Sequence, residues 1–354
     1  MSPTQMKAIK VVSAGKAEIQ EVPLPKLRDD YVLVKTTAVA LNPTDWKHID
    51  YLSQPGHTVG CDFVGTVEEV GKTANSNNAG GQTWKKGDRF AGVSHGVNNA
   101  EPEDGSFGEF VMAKGAVGMK VPGNVSDEEA ATLGVGISTV GQGLYQSLKL
   151  PLPEGQKKEG SGGWLLVYGG STATGSLAIQ FAKLSGCKVI TTCSPRNFDF
   201  VKSLGAEEAF DYNDKDVSKK IRDYTSDSLT KVFDCISEGA SPNISAEAIS
   251  SSKGGIVSYL LPTKHDRSDV ENKMTLAYTI MGESFKFGPQ PFEGKKEDLD
   301  FGSKFWEISR GLLEEGRVKV HPVQVEGGGL EGVFEGMKML KEGKVSGKKL
   351  VYKI

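Results

Sequence analysis

Cysteine is scarce in this chain: Cys61, Cys187, Cys193 and Cys235 are the four, and no two form a CxxC pair. That excludes a small disulfide-stapled scaffold and makes a reducing, cytoplasmic compartment the expectation. An excess of either charge is also missing. Lys and Arg number 42 against 45 Asp and Glu, a formal net charge of -3, so there is no electrostatic footprint for nucleic acid or for an anionic membrane. No apolar run is long enough to span a bilayer, and residues 1–10 lack the charged-then-apolar order of a signal peptide. What remains is 38% hydrophobic and 25% charged over 354 residues. Such a chain folds, and it is long for one core, so two domains are expected. Glycine is plentiful, at 44 residues, in short clusters of the kind that make tight turns or let a ligand approach the backbone.

The first third is β-rich. Segments 6–12, 18–22 and 31–41 are β-prone and are punctuated by Gly15, Pro23 and Pro25. Residues 60–71 form an apolar strand flanked by glycines. Residues 72–86, with Asn75, Asn77, Asn78, Gly80 and Gly81, have the composition of a flexible surface insertion, and Gly87-Asp88-Arg89-Phe90 restarts the β pattern. Ser126-Asp127-Glu128-Glu129 is a capping box that predicts a helix start, and a second helix is expected over about 139–148. The Pro- and Gly-rich stretch 150–163 suggests an exposed loop near a domain boundary. From Trp164 the rhythm changes. Strands Trp164–Tyr168, Lys188–Thr192, Lys231–Asp234 and Gly255–Tyr259 alternate with helices at 177–184, 198–204 and Val217–Tyr224, the pattern of a doubly wound parallel sheet. Helices at 299–315 and 330–342 and a strand at 349–352 are expected in the tail.

Strand Trp164–Tyr168 runs into Gly169-Gly170-Ser171-Thr172-Ala173-Thr174-Gly175-Ser176 and then a helix. Gly170 and Gly175 fill the outer positions of a GxGxxG turn, with Thr172 at the middle one. A strand–turn–helix of this kind brings backbone amides and the positive end of a helix to a pyrophosphate. A Gly/Ser/Thr-rich turn with no ligand is the alternative. Folds that bind NAD place an acid at the end of the second strand for the ribose 2′-hydroxyl. Here Thr191-Thr192-Cys193-Ser194-Pro195-Arg196-Asn197 contains none before Asp199. A hydroxyl and a guanidinium suit a 2′-phosphate, which a carboxylate would repel, so NADPH is the expected cofactor. A solvated surface charge is the alternative reading of Arg196.

Asn42-Pro43-Thr44-Asp45, the 60–71 strand, Gly87-Asp88-Arg89, Gly105-Ser106-Phe107-Gly108-Glu109-Phe110, the glycine turn and Leu204-Gly205-Ala206 follow one another in order. With them the chain resembles the medium-chain dehydrogenase/reductase superfamily over essentially its whole length. Residues 168–175, Cys193-Ser194-Pro195-Arg196-Asn197-Phe198-Asp199 and Phe210-Asp211-Tyr212 are similar to the fungal trans-acting enoyl reductases of polyketide pathways. The stretch 42–50 is also similar to yeast aldehyde and enone reductases. The resemblance implies an α/β protein: a β-rich GroES-like catalytic domain, residues 1–139 and 291–354, plus a Rossmann doubly wound parallel-sheet cofactor domain, residues 140–290. It implies that Ser171, Thr172, Ala173 and Thr174 cradle the pyrophosphate. Ser194, Pro195, Arg196, Asn197 and Tyr212 would surround the adenosine ribose and its phosphate, although Tyr212 taken alone reads as a packed strand-end tyrosine. Thr44, Asp45, Trp46 and Lys47, with Leu260, Leu261, Val345 and Ser346, would lie near the nicotinamide half. Lys47 and Thr139 are the expected catalytic pair, orienting carbonyl and nicotinamide. A surface cation and a helix N-cap are their plainer readings. Thr139, Gly143, Gln146, Gly282 and Phe285 are expected on the substrate side, with 278–288 alternatively a subunit-contact strand.

Zinc alcohol dehydrogenases of this superfamily use a Cys, a His-Glu pair and a second Cys. The matching positions here hold Asn42, Cys61-Asp62 and Val135, and 91–108, where a structural-zinc lobe would stand, has no cysteine. One thiol cannot make the three-ligand open site of catalytic zinc, so no metal is expected, and Cys61 reads as a small buried apolar residue. His57 and His95 lack suitably spaced partners and read as structural or surface residues. Without a Lewis acid, alcohol–carbonyl interconversion loses its main aid. Hydride addition to the β-carbon of an enone or enoyl thioester gives a delocalised enolate that hydroxyl and ammonium donors can stabilise. The implied activity is NADPH-dependent enoyl (activated alkene) reduction, on a small-molecule or carrier-protein-bound chain with a polyketide synthase as partner. Water is the expected source of the α-carbon proton. Quinone or aldehyde reduction on the same scaffold, and a nucleotide-binding partner protein without turnover, are the competing readings. Binding of S-adenosylmethionine would leave the β-rich first third unexplained.

Overall fold

The structure is a computed structural model describing residues 3–76, 78–155 and 157–354. Residues 1 and 2 of the N-terminal stretch, Asn77 of the 72–86 stretch and residue 156 of the 150–163 loop lie outside the described residues. The chain forms two compact units, Met1–Ser138 with Tyr278–Ile354, and Thr139–Ala277. Segment 278–290, placed above with the cofactor domain, packs in the first unit because its aromatic and acidic side chains find their partners there.

The first unit is built on a seven-stranded sheet. Strands Val323–Glu326, Lys349–Lys353, Tyr31–Ala40, Asp62–Val70, Arg89–Val93 and Gly118–Lys120 neighbour one another in that order, and Phe110–Lys114 pairs with Tyr31–Ala40. Tyr31–Ala40 is central because its apolar run is buried along nearly its whole length. Two register shifts against Asp62–Val70, at Leu33/Val34 and Thr36/Ala38, are the irregularities that increase local twist and let a sheet curl. Ile9, Val34, Phe63, Val67, Trp84 and Phe90 lie in its core, each contributing roughly 1.5–3 kcal/mol by leaving water.

The 72–86 stretch is not the loose insertion its composition suggests. Ala74 and Trp84 are buried in that core, the Trp84 indole donates to the Gly115 carbonyl at 2.8 Å, and Gln82 bridges Gly118 and Lys120. Burial of Trp84 and Ala74, together with these side-chain bonds, ties the stretch to the core, an anchor that a count of turn residues does not reveal.

In the second unit six strands are all parallel, in the order Glu208–Phe210, Lys188–Thr192, Trp164–Tyr168, Lys231–Asp234, Gly255–Tyr259, Val270–Met274. Counted along the chain this is 3-2-1-4-5-6, the doubly wound dinucleotide-binding order. The predicted strands and helices of this unit are present, with helix Ala173–Leu184 starting four residues earlier than expected at 177. The two edge strands, Glu208–Phe210 and Val270–Met274, carry no legible hydrophobic period; pairing with a neighbour makes them strands.

The capping box at Ser126 forms, its hydroxyl accepting the Glu129 amide and the Glu129 carboxylate accepting the Ser126 amide. Its helix is only Asp127–Ala130. The helix expected over 139–148 begins earlier, at Gly134, runs as Gly134–Val140, and passes into a π-helical stretch, Gly141–Ser147. Thr139 therefore lies inside a helix and is no N-cap. Glycines here are a packing requirement, because a Cβ on Gly143 would stand 2.3 Å from the Phe233 ring.

Candidate active site

In the second unit the glycine turn is a close-packed link between strand Trp164–Tyr168 and helix Ala173–Leu184. Gly169 is in the left-handed region, at φ +83°. A Cβ on Gly170 would meet Thr191 Oγ1 at 2.0 Å, and one on Gly175 would meet the Gly169 carbonyl at 2.3 Å, so only glycine fits either place. Thr172 is the N-cap of helix Ala173–Leu184: its hydroxyl accepts the Gly175 amide at 2.9 Å and donates to the Gly169 carbonyl at 2.8 Å. The cap fixes the turn and leaves the first amides of the helix, at Ala173 and Thr174, without intrahelical partners, the arrangement that receives an anion.

The second and third strands end beside each other. Ser194 Oγ lies 3.2 Å from the Tyr212 hydroxyl. Tyr212 is exposed, not packed, and Arg196 stands exposed on the single 3-10 turn Pro195–Asn197. All of these residues, with Leu260 and Leu261, follow carboxyl ends of parallel strands, where doubly wound sheets bind their ligands. A knot in the fourth strand escaped the sequence reading. Buried Asp234 accepts the amides of Ile236 and Ser237 at 2.9 and 2.8 Å, and burial pushes its carboxyl above the usual range. Ser237, at φ +58°, accepts the Leu260 amide at 2.7 Å and so sets the start of the Leu260-Leu261 loop. Thr139 is buried in its helix, Gly143 packs on Phe233, and Gln146 is half-buried.

In the first unit Thr44, Asp45, Trp46 and Lys47 open helix Pro43–Tyr51, whose capping box is Asn42 with Asp45: the Asn42 amide donates to Asp45 Oδ2 at 2.7 Å. Burial pushes the Asp45 carboxyl up to about 7. The Trp46 ring packs with Tyr51 and lies within 6 Å of both Lys47 Nζ, at 5.6 Å, and Lys341 Nζ, at 5.5 Å. Val345 and Ser346 precede strand Lys349–Lys353, Val345 against the core and Ser346 exposed.

Behind that helix lies a cluster that spacing alone did not reveal. His48 Nδ1 is 3.0 Å from the Gly96 carbonyl and must donate to it. Burial lowers His48 to about 4, so Nε2 is an acceptor and Thr44 Oγ1, 2.9 Å away, donates to it. His95 is neither exposed nor isolated. It is buried, stacks on Tyr278 at 3.7 Å and 8°, and is held neutral by burial. The Tyr278 hydroxyl is 3.3 Å from Cys61 Sγ. Phe285 stands edge-on to His95 and Phe287 to His48, while Gly282, at φ +67°, packs against Leu299.

The positions compared above with zinc ligands are filled by an internal ion pair. Lys349, buried, places its ammonium on Asp62, which is fully buried, and donates also to Asn42 Oδ1 and the Thr132 carbonyl, each at 3.0 Å. The other Asp62 oxygen accepts the Val135 amide at 2.6 Å. Burial and the neighbouring Asp45 push the Cys61 thiol well above its ordinary value.

Residues 28–123 match the family model of the alcohol dehydrogenase GroES-like domain, and 173–289 that of zinc-binding dehydrogenases. A trans-enoyl reductase of Alternaria alternata is 47% identical over 350 residues, covering 98% of each chain. One of Aspergillus sclerotiorum is 43% identical over 99% of this chain and 100% of its own. The chain belongs to the trans-enoyl reductases of the medium-chain dehydrogenase/reductase family. An alcohol dehydrogenase superfamily protein of Novosphingobium aromaticivorans superposes with a TM-score of 0.78 at 19% identity, covering 99% of each chain, and shares the fold. As a member of this family the protein is an oxidoreductase with a GroES-like unit and a Rossmann-type unit that takes a nicotinamide cofactor. This trans-enoyl reductase does not fit the zinc that one of its family models is named for. One thiol, an amide oxygen and a carboxylate both already engaged by the Lys349 ammonium, and a valine side chain with no donor atom fall short of the three free ligands that catalytic zinc requires. Among the described residues no group of three His, Cys, Asp or Glu side chains converges as metal ligands, and no helix is long and apolar enough to cross a membrane.

Proposed function

We propose that this protein is an NADPH-dependent enoyl reductase that works in trans on chains carried by a polyketide synthase. The observation that carries the reading is the 47% and 43% identity, over nearly the full chain, to proteins named trans-enoyl reductases. The second strand ends in Ser194 and Arg196 with no acid before Asp199, and the Ser194 hydroxyl lies 3.2 Å from that of Tyr212. These donors support NADPH over NADH, because a 2′-phosphate needs them. Four cysteines free of disulfides suit a cytoplasmic enzyme.

A bound reduced nicotinamide supplies a hydride to the substrate β-carbon. The protein's share is binding and charge stabilisation. Ser171 to Thr174 hold the pyrophosphate at the helix N-terminus. Asp234 and Ser237 fix the loop carrying Leu260 and Leu261, which with Thr44, Asp45, Trp46, Lys47, Val345 and Ser346 serve the nicotinamide half. As the hydride arrives, the alkene π electrons move to the thioester carbonyl. The Lys47 ammonium and Thr139 hydroxyl stabilise that enolate, which then takes a proton at the α-carbon. Gly143, Gln146, Gly282 and Phe285 shape the substrate side.

The test is NADPH consumption by the purified chain across enoyl thioesters, quinones and aldehydes. Turnover of enoyl thioesters well above the other two supports the reading. Preference for a quinone or an aldehyde would replace it, and NADPH binding without turnover of any class would make the protein a nucleotide-binding partner.

A further inference from the structure

The first unit contains a cavity of about 170 Å³ that none of the roles above uses, and its lining is mostly polar. Its floor and its mouth differ. Val93, Ser94, His95 and Tyr278 are buried, whereas Ala100, Glu101 and Ser284 are exposed, so the cavity opens to solvent on the Glu101 side.

The floor holds two polar side chains that bond nothing around them. His95 meets Tyr278 and Phe285 through ring contacts. Among the described residues none hydrogen-bonds its ring nitrogens or the Ser94 hydroxyl, although His95 is only 6% exposed and Ser94 3%. Folded interiors pair such groups. Burial keeps the imidazole neutral, so it offers one N–H donor and one bare acceptor nitrogen, and a serine hydroxyl likewise donates and accepts. The group that answers both must itself donate and accept, as a hydroxyl does. An ammonium has no lone pair for the imidazole N–H, and a carboxylate has no proton for the bare nitrogen.

The wall carries an excess of acid. Among its described residues Glu101, Asp104 and Glu283 stand against one base, Lys114. Most of that charge is committed. Lys114 pairs with Glu283 at 2.5 Å and with Asp30 at 2.6 Å, and Arg28 pairs with Asp104 at 2.5 Å. Glu101 is held loosely, its ion-pair contact to Arg28 being 4.0 Å long. With four carboxylates against two cations, Glu101 at the mouth is the acid available to a new positive partner. At about 30 Å³ for each water in the liquid, the cavity has the bulk of about five waters, which suits a ligand of about six heavy atoms. Met112, Met281 and Phe285 supply apolar surface for its carbons.

We propose that this cavity binds a small amino alcohol, with its hydroxyl on Ser94 and His95, its methylenes against Met112, Met281 and Phe285, and its ammonium at Glu101. The ligand is neither the cofactor nor an enoyl chain, so the site goes beyond the enoyl reductase reading and does not depend on it.

The test is calorimetric titration of the full chain with 4-aminobutan-1-ol, butan-1-amine and butan-1-ol. The amino alcohol is expected to saturate one site with a Kd of about 1 mM or below. The amine lacks the hydroxyl and the alcohol lacks the charge, and each should bind about tenfold more weakly. Glu101→Gln should weaken 4-aminobutan-1-ol about fivefold, as for a half-exposed charge, and leave butan-1-ol unchanged. His95→Phe keeps a ring on Tyr278; it should weaken 4-aminobutan-1-ol about tenfold and leave butan-1-amine unchanged. A wild-type Tm confirms that each variant is folded. Absence of saturable binding to the wild-type protein, equal affinity for the three ligands, or wild-type affinity in either folded variant overturns the proposal. Displacement of the amino alcohol by NADPH overturns it too. None of these readouts depends on turnover of an enoyl thioester, so this proposal and the enoyl reductase reading fail separately.

Discussion

Replacing Lys349 by methionine keeps the length of the side chain and removes its charge. In the native protein that ammonium is buried against Asp62 and also satisfies Asn42 and the Thr132 carbonyl. Lys349→Met leaves the Asp62 carboxylate in the interior with only the Val135 amide for company. Breaking one side of a buried pair costs about 3–5 kcal/mol. At about 2–4 °C per kcal/mol for units of this size, Tm should fall by about 6–20 °C. The double variant Asp62→Leu/Lys349→Met strands no charge, so it should be more stable than Lys349→Met alone, though below wild type because Val135 and Thr132 lose partners. Thermal unfolding followed by circular dichroism on the four proteins of the cycle measures this directly. A Lys349→Met protein melting within about 2 °C of wild type, or a double variant as unstable as the two single losses summed, would refute the reasoning.

Gly170→Ala pushes a methyl to 2.0 Å from Thr191 Oγ1, whose own proton is held by the Val167 carbonyl. It should cost about 1–3 kcal/mol in urea unfolding and weaken NADPH binding measured by fluorescence. Arg196→Gln should raise the Kd for NADPH about tenfold, the loss of one charge-assisted contact, and leave the Kd for NADH unchanged. An equal loss for both cofactors would remove Arg196 from 2′-phosphate recognition. His48 is buried neutral with its pKa lowered from 6.5 to about 4, so its contribution is present above pH 6.5 and is lost as pH falls toward 4. That loss amounts to about 3 kcal/mol. Asp104, raised to about 6 by burial, acts in the opposite sense and favours the fold as pH falls below 6. His48→Gln should therefore flatten the acid limb of the stability–pH curve, and an unchanged limb would show that His48 does not titrate on unfolding.

Legibility in the sequence followed the physics of each element. Strands Trp164–Tyr168 and Lys188–Thr192 are buried on both faces and read as apolar runs. Helix Val217–Tyr224 carries a clean amphipathic period, and its ends are where the sequence places them. Strand Val270–Met274 is exposed at four of five positions and was illegible, because its only structural instruction is the strand beside it. The glycine turn could be read because its requirements are local. The Lys349–Asp62 pair could not, since its partners stand 287 residues apart and nothing in either neighbourhood marks a buried charge. His95 takes the structural of its two expected readings, but its partner Tyr278 is remote in sequence, and spacing rules see only near neighbours.

The central claim is hydride delivery to the β-carbon of an activated alkene. It is tested most directly by incubating the protein and a crotonyl thioester with NADPH deuterated at nicotinamide C4, using each C4 epimer in turn. NMR of the butyryl product should show deuterium on the β-carbon with one epimer, and a solvent-derived proton on the α-carbon. Deuterium at the carbonyl carbon, or none in the product with either epimer, would contradict it.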